Sequence, residues 1–158
     1  MIRWMERRLG LAPTIVTVRA TGIRTVWPTT CPLEQELLEQ INAYRLQQGR
    51  PPWRLSTVLV HAARDHSLAM GRQEFFAHQD PQGRGPGERI TDAGYGLFRV
   101  VAENIAMGTR TPAETLRAWI ASPRHHELLL DRMVTEAGIG MAEQGRQRYW
   151  TLDCASPR

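Results

Sequence analysis

Three separated segments of the sequence each place one ionisable side chain among apolar residues. They are Phe75-Phe76-Ala77-His78, Ala102-Glu103-Asn104-Ile105-Ala106 and Trp119-Ile120-Ala121-Ser122-Pro123-Arg124-His125. Two imidazoles and one carboxylate are enough for a zinc-type site or for acid–base chemistry. Because 25 residues separate His78 from Glu103 and 22 separate Glu103 from His125, spacing alone does not show that the three side chains meet.

The elements that must position these residues alternate between helical and extended patterns. Predicted helices begin after Pro32, at an N-cap on Ser56, near Gly87, at a capping box on Thr111 and at Ser122-Pro123. The sequence from 77 to 87 is rich in glycine and proline and predicts a loop. The last part predicts an antiparallel hairpin, Ala137–Ala142 and Gln147–Cys154, that turns at Gln144-Gly145. This pattern indicates an α+β fold.

Composition narrows the class of protein. A chain of 158 residues with 42% hydrophobic and 23% charged residues is typical of one globular domain. No apolar run approaches the roughly 20 residues of a membrane-spanning helix. Residues 1–30 contain five arginines and one glutamate, and their net charge of +4 equals that of the whole chain. Residues 31–158 are therefore neutral overall, which argues against a nucleic-acid partner.

The sequence divides into a basic N-terminal arm, residues 1–30, and a domain, residues 31–158. We expect the arm to be a leader or a disordered segment. Its apolar stretch from Leu9 to Val18 is interrupted by glycine, proline and threonine, so it is a poor export signal. Cys31 and Cys154 lie near the two ends of the domain. They would form a disulfide in an oxidising compartment or remain thiols in a reducing one, and the sequence leaves both open.

The order of these segments resembles the CAP superfamily (cysteine-rich secretory proteins, antigen 5 and pathogenesis-related 1 proteins), in its small bacterial form. The resemblance runs from about residue 33 to residue 154. Besides the three segments above, the matching motifs are Ile41-Asn42-Ala43-Tyr44-Arg45, Pro51-Pro52-Trp53, Ala62-Ala63-Arg64-Asp65-His66-Ser67, Asp80-Pro81, Gly94-Tyr95, Glu136-Ala137-Gly138-Ile139-Gly140-Met141 and Tyr149-Trp150-Thr151. The resemblance implies a three-layer α-β-α sandwich with a central antiparallel sheet.

The family's cleft carries two histidines and two glutamates, which in some members bind a divalent cation. By position, three of these match His78, Glu103 and His125, while the place of the second glutamate is taken by Ser122. The resemblance therefore implies that His78, His125 and Glu103 hold Zn²⁺ or another divalent cation, with one position open to water. The alternative is a buried hydrogen-bonded cluster with a structural role.

Four neighbouring residues have simpler expected roles. His126 adjoins His125 on a helix and is expected to face solvent, because successive helical residues point about 100° apart. His66 lies on an apolar stripe and is expected to be a core histidine. The amide of Asn104 is expected to hold the loop that carries Glu103. Asp80 lies in a turn and is a candidate for weak cation binding.

The resemblance implies an extracellular or cell-envelope protein that binds a small, lipid-like apolar ligand or a protein partner. It favours binding over catalysis, because the family shares no single reaction. One alternative is a hydrolase in which His78, Glu103 and His125 activate water, since no serine or cysteine lies in a nucleophile context. A second alternative is an interaction scaffold without an active cleft. The sequence leaves the oligomeric state open.

Overall fold

The computed structural model describes residues 31–158, together with the backbone of two short strands within residues 1–30. The two strands, β1 (Thr14–Val16) and β2 (Arg24–Val26), pair antiparallel with Thr14 opposite Val26. They belong to a first unit, Met1–Cys31, and every other element belongs to a second unit, Pro32–Arg158. The rest of the predicted arm lies outside the described residues, so the leader or disordered segment stays a prediction.

Five helices follow in the second unit. They are α1 (Pro32–Gln47), α2 (Thr57–Gln73), α3 (Pro86–Asp92), α4 (Pro112–Ala121) and α5 (Pro123–Leu129). The predicted start signals are confirmed: Ser56 caps α2, and Thr111 with Glu114 forms a capping box on α4. Glu74 ends α2 in the left-handed conformation, with a φ of 56°. None of the described helices is both long and apolar enough to cross a membrane.

Four strands of the second unit form one sheet in the order β3-β5-β6-β4. Their bounds are Arg54–Leu55 for β3, Phe98–Met107 for β4, Glu136–Gln144 for β5 and Gln147–Pro157 for β6. The hairpin of β5 and β6 confirms the prediction. The sheet is antiparallel except at β3, which pairs parallel to β5, so the expected antiparallel sheet is in fact mixed.

Strand β4 is a correction to the sequence reading, which placed Glu103 on a loop. The segment pairs with β6 from Val100 to Met107, with Glu103 opposite Asp153. The sequence of β4 does not alternate cleanly between apolar and polar residues. Since β4 is an edge strand, the first half of the strand is only half-buried and does not require that alternation. Pairing with the buried strand β6 therefore decides its conformation, rather than the local pattern.

The sheet lies between two helical layers, which confirms the predicted three-layer sandwich. Helices α2 and α3 pack on one face, where α2 contacts β5 and β6 and α3 contacts β4. Helices α1, α4 and α5 form the other layer, where α1 contacts β5 and α4 and α5 contact β4. Successive strand residues point to opposite faces, so Glu103 and Asn104 project into different layers.

The two cysteines are both buried, and the structure has them as thiols rather than as a disulfide. Burial, with a contribution from Asp153, raises the pKa of the Cys154 thiol well above its usual range. Cys154 is therefore protonated and unreactive at neutral pH. The disulfide between Cys31 and Cys154 remains a prediction.

Candidate functional site

Glu103 is the centre of a polar cluster on the α2–α3 face of the sheet. Its side chain is only 1% exposed, yet both carboxylate oxygens have partners. His78 Nδ1 lies 2.7 Å from Oε1, and Arg89 Nη2 lies 2.5 Å from Oε2. A buried carboxylate is costly unless it is paired, and here a guanidinium and an imidazole supply the pairing.

His78 is the exposed member of the cluster. It lies on the loop between α2 and α3, and its side chain is 52% exposed. Since a carboxylate accepts hydrogen bonds, Nδ1 is the nitrogen that donates to Glu103, and the ring is fixed in one orientation. Nε2 is then the nitrogen left to meet a ligand, as a hydrogen-bond acceptor or as a base.

Two buried side chains hold the loop on which His78 lies. From α2, His66 Nε2 donates to the carbonyl of Ala77 at 3.0 Å, and its ring packs against Phe75. From α3, Arg89 Nη1 donates to the carbonyls of His78 at 2.7 Å and of Arg84 at 2.9 Å. Burial lowers the pKa of His66, so its ring is neutral near pH 7. His66 is thus the predicted core histidine, and it also positions the loop.

Asp80 stabilises the same loop from within. Its Oδ1 accepts hydrogen bonds from the backbone N–H groups of Gln82 and Arg84, at 3.0 and 2.9 Å, and its Oδ2 accepts one from the Arg84 side chain. The residue is almost fully buried. With both oxygens occupied by the turn, Asp80 has a structural role rather than the cation-binding role expected as an alternative.

Asp153 lies beside Glu103 on the neighbouring strand. The two residues are directly opposite in the β4–β6 register, and Asp153 is fully buried. Its carboxyl group interacts with the carboxylate of Glu103, to which a protonated Asp153 can donate a hydrogen bond. Burial, and then the charge of Glu103, raise the pKa of Asp153 well above its usual range. The structure therefore adds a second buried carboxyl group to the site.

His125 lies in the other helical layer, on α5. Asn104, which points away from Glu103, donates from Nδ2 to the His125 carbonyl at 3.0 Å. Asn104 therefore joins β4 to the backbone of His125, whereas the sequence predicts that its amide holds the segment of Glu103. His125 is half-buried, and burial, followed by the charge of His78, lowers its pKa. Among the described residues, the His125 ring forms no hydrogen bond or ion pair with His78 or Glu103, so the structure joins His78 to Glu103 but not His125 to either of them.

His126 is not solvent-facing, and this prediction was wrong. The ring is half-buried, and its Nε2 lies 2.7 Å from the hydroxyl of Tyr44 on α1. The ring planes of the two side chains are tilted by 44°. The prediction rested on helical spacing alone, and the contact with Tyr44 of α1 keeps His126 half-buried.

The residues present do not fit the divalent cation that the family resemblance implies. Across residues 31–158, no three or more His, Cys, Asp or Glu side chains are grouped so that they could hold a metal ion. Moreover, one oxygen of Glu103 already bonds Arg89, whose permanent positive charge opposes a second cation.

A cavity of about 170 Å³ lies between α2, α3 and the loop that joins them. Its lining surface is about equally polar and apolar, and the lining residues are Ala62, Asp65, His66, Ala69, Asp80, Arg84, Arg89, Asp92 and Ala93. Pockets for drug-sized molecules have about 300–1,000 Å³ and are mostly apolar. This cavity is therefore smaller than the usual pocket for a drug-sized apolar molecule.

Three residues of the cluster were not assigned to it from the sequence: His66, Arg89 and Asp153. Asp153 carries the clearest signal, because it is a lone acid within the apolar run of β6. Arg89 follows Glu88 on a short helix and looks like any surface arginine, although it is almost fully buried. Only the packing of α3 against β4 brings Arg89 to Glu103.

Comparison with known proteins agrees with this fold. Residues 38–154 match the profile of CAP, the cysteine-rich secretory protein family. The chain is 32% identical over 137 residues to an uncharacterized Bacillus subtilis protein, YkwD, and the match covers 84% of this chain and 52% of the relative. The chain thus spans about half the length of that relative.

Two solved structures share the fold. An extracellular protein with an SCP domain from Bacillus anthracis matches with a TM-score of 0.73 and 24% identity, over 78% of this chain and 40% of the other. An outer surface protein of Borrelia burgdorferi also has a TM-score of 0.73, with 18% identity over 78% of this chain and 92% of the other. The family profile covers most of the chain and the fold agrees with it, so this protein belongs to the CAP family in its bacterial form.

Proposed function

We propose that this CAP domain is a binding module whose contact surface is the loop of Phe76 and His78. The observation that supports this most is the fixed, exposed imidazole of His78, which a buried carboxylate holds at 2.7 Å while the ring remains 52% exposed. Phe76, two residues earlier on the same loop, is a large apolar side chain that is 45% exposed. A preorganised polar group beside an apolar one suits an amphiphilic, lipid-like ligand.

The ligand would place its apolar part against Phe76 and its polar group on Nε2 of His78. A test measures equilibrium binding of a fluorescent fatty acid to the wild-type chain, to Phe76→Ser and to His78→Ala. Burying a phenylalanine contributes about 1.5–3 kcal/mol, so Phe76→Ser should weaken binding by about 10-fold or more. Leu97→Ser is the matched control, because Leu97 is 75% exposed and lies just before β4, outside the loop in the sequence.

Three outcomes of this titration decide whether the loop binds a fatty acid. Weakening in Phe76→Ser and His78→Ala, with wild-type affinity in Leu97→Ser, supports the proposal. Equal weakening in all three variants indicates nonspecific adsorption and contradicts it. Absence of binding by the folded wild-type chain excludes a fatty acid as the ligand and turns the search to a protein partner at the same loop.

A second candidate function is hydrolysis with water as the nucleophile. The observation in its favour is the imidazole–carboxylate pair, in which Glu103 orients His78 and leaves Nε2 as a general base. We would screen small ester and amide substrates with the wild-type chain and with His78→Ala. A rate above background that falls at least about 100-fold in His78→Ala, the lower end of a general base's contribution, would identify a hydrolase.

We also propose that the protein is exported. Three of the structural neighbours are described as an extracellular protein, an outer surface protein and a cysteine-rich secretory protein. Fractionation of cells that express the full chain should place it in the medium or the cell envelope. Recovery in the soluble cell interior alone would contradict this.

A further inference from the structure

We propose that the outer edge of β4, from Val101 to Glu103, takes an extended peptide segment of another protein as an added strand of the sheet. The inference does not depend on which ligand the loop of Phe76 and His78 binds. It rests on the direction of the main-chain groups of β4, on the exposure of Glu103, and on the contacts that close this edge at either end.

The first argument is the direction of the main-chain groups. Strand β4 pairs with β6 on one side, and no described strand of the second unit pairs with its other side. In an antiparallel pair, every second residue directs its N–H and C=O to the partner strand, and the residues between direct theirs away. Just after β4, Gly108 donates its N–H to the carbonyl of Arg148 on β6 at 2.9 Å. Counting back by twos along the register, Ala102 faces β6, so Val101 and Glu103 direct their main-chain groups outward.

The second argument is the exposure of these groups. The side chain of Glu103 is only 1% exposed, whereas the residue as a whole is half-buried, so the atoms that meet solvent belong mainly to its main chain. Outward N–H and C=O groups at strand spacing are complementary to another extended backbone, which accepts and donates hydrogen bonds at the same spacing. The chemistry of this edge therefore fits a peptide strand.

The third argument is the length of the open edge. The register of β4 shifts between Phe98 and Val100, and such an irregularity interrupts strand pairing at that end. At the other end, the carbonyl of Ile105 accepts a hydrogen bond from Trp119 Nε1 of α4 at 3.1 Å. A stable dimer buries about 800 Å² on each partner, which is more than strand pairing over so short a stretch supplies. A short peptide segment therefore fits this edge better than a second copy of the chain.

The first part of the test is amide hydrogen exchange of the full-length chain, followed residue by residue by NMR. The amides of Val101 and Glu103 should exchange at least about 100-fold faster than those of Ala102 and Asn104, which face β6. Equal protection of the two pairs in the free chain would mean that the edge is already closed and would overturn the proposal. Protection of Val101 and Glu103 that grows with protein concentration would also overturn it, because a second copy would then occupy the edge.

The second part adds a probe, a short fluorescent peptide of alternating threonine and valine with blocked ends, since both residue types favour strands. At about 1 mM peptide, which is enough to detect a weak complex, exchange at Val101 and Glu103 should slow at least about 10-fold and exchange at Ala102 and Asn104 should change little. The same peptide methylated at every amide nitrogen cannot donate hydrogen bonds from its main chain and should not bind. Unchanged exchange at Val101 and Glu103, or equal binding of the methylated peptide, would refute strand addition.

The third part compares Val101→Pro with Val101→Ala. Both variants lose the valine side chain, but only proline removes the outward N–H, and proline is tolerated on an edge strand where its nitrogen faces solvent. Val101→Pro should bind the peptide at least about 5-fold more weakly than Val101→Ala, as for the loss of one hydrogen bond. Equal affinities of the two folded variants would contradict the proposal. If circular dichroism shows that Val101→Pro is unfolded, the methylated peptide decides the question on the wild-type chain.

Discussion

At the residue scale, the exposed histidine of the cleft depends on groups that are themselves out of contact with solvent. The ring of His78 is oriented by Glu103, and the loop backbone on either side of it is held by His66 and Arg89. A surface side chain normally samples several rotamers and loses that freedom on binding a ligand. The His78 ring is already restricted in the folded protein, so less conformational entropy is lost when a ligand binds at Nε2.

The sequence could bring His78, Glu103 and His125 into one candidate site only through the family resemblance, because nothing local links them. It could not show that Glu103 and His125 belong to different layers. That separation follows from the alternation of side chains along β4, which places Asn104 on the His125 side. Because the apolar pattern of β4 does not predict a strand, the sequence alone does not reveal this alternation.

Cys154 provides a prediction at this scale. Its thiol pKa is raised by burial, so the folded state keeps the proton that the unfolded state releases above about pH 8.5. The unfolded state then binds fewer protons, and stability should fall as pH rises above that value, by up to about 1.4 kcal/mol per pH unit. Urea unfolding between pH 7 and about 10 measures the slope.

The control for this prediction is Cys154→Ala, which removes the titrating group and should flatten the slope. Alkylation gives an independent check, because the native chain should leave Cys154 unmodified at about pH 8, the lower edge of the usual thiol range, and the urea-unfolded chain should not. An unchanged slope in Cys154→Ala, or modification of Cys154 in the native state, would show that the thiol is not held in its protonated form by the core.

At the element scale, the close packing of α2 on the sheet decides where the loop of His78 begins. The contact is made at two glycines of β5: a Cβ atom added at Gly138 would overlap the backbone of Leu59 and Val60, and one added at Gly140 would overlap the backbone of Ala63 and Arg64. The helix therefore lies directly on the strand, with no side chain between them. This brings His66, in the middle of α2, next to the face that carries Glu103.

We expect Gly140→Ala to destabilise the fold by about 3 kcal/mol or more, the upper range for overpacking, because backbone atoms of α2 have no rotamer with which to escape. Gly96→Ala is the control, since an added Cβ there has no neighbour within 4 Å and the residue has an ordinary φ. It should change the free energy of unfolding by less than about 0.5 kcal/mol. Chemical denaturation of both variants measures the difference, and equal stabilities would contradict the close contact.

The elements that could be predicted are those with local signals. The capping residues Ser56 and Thr111 located the starts of α2 and α4, and the Gln144-Gly145 turn located the hairpin of β5 and β6. Strand β3, which pairs parallel to β5, has no local signal. It consists only of Arg54–Leu55, and two residues are too few to show the apolar–polar alternation of a strand. The same is true of β4, whose edge position leaves its apolar pattern incomplete.

At the scale of the whole second unit, buried charged side chains join segments that are far apart in the sequence. Glu34 on α1 pairs with Arg64 on α2 and also accepts a hydrogen bond from the backbone of Met141 on β5. Such bonds contribute to specificity as much as to stability, because any other packing of α1 would leave a charge buried without a partner.

Arg45 is a second buried charged side chain of α1 that joins distant segments. It is fully buried on α1, stacks over Trp53 at 4.2 Å and donates from Nε to the Pro51 carbonyl at 2.9 Å. Its Nη1 donates to the carbonyls of Leu129 and Asp131, at 2.7 and 3.1 Å. One guanidinium therefore joins two segments to α1: the segment that follows α1, and the segment at the end of α5 that leads to β5.

Arg45→Lys should cost about 2–4 kcal/mol, because an ammonium on a flexible stem cannot satisfy three carbonyls in a planar fork and would leave some of them buried without partners. Arg50→Lys is the matched control, since Arg50 is only partly buried and donates from Nε to one carbonyl, that of Leu130, at 2.9 Å. Its cost should stay below about 1.5 kcal/mol, as for a single hydrogen bond. Urea midpoints at constant m-value measure both changes. A loss in Arg45→Lys no larger than in Arg50→Lys would mean that apolar packing alone holds α1 against α5, and that the buried guanidinium contributes little beyond its stem.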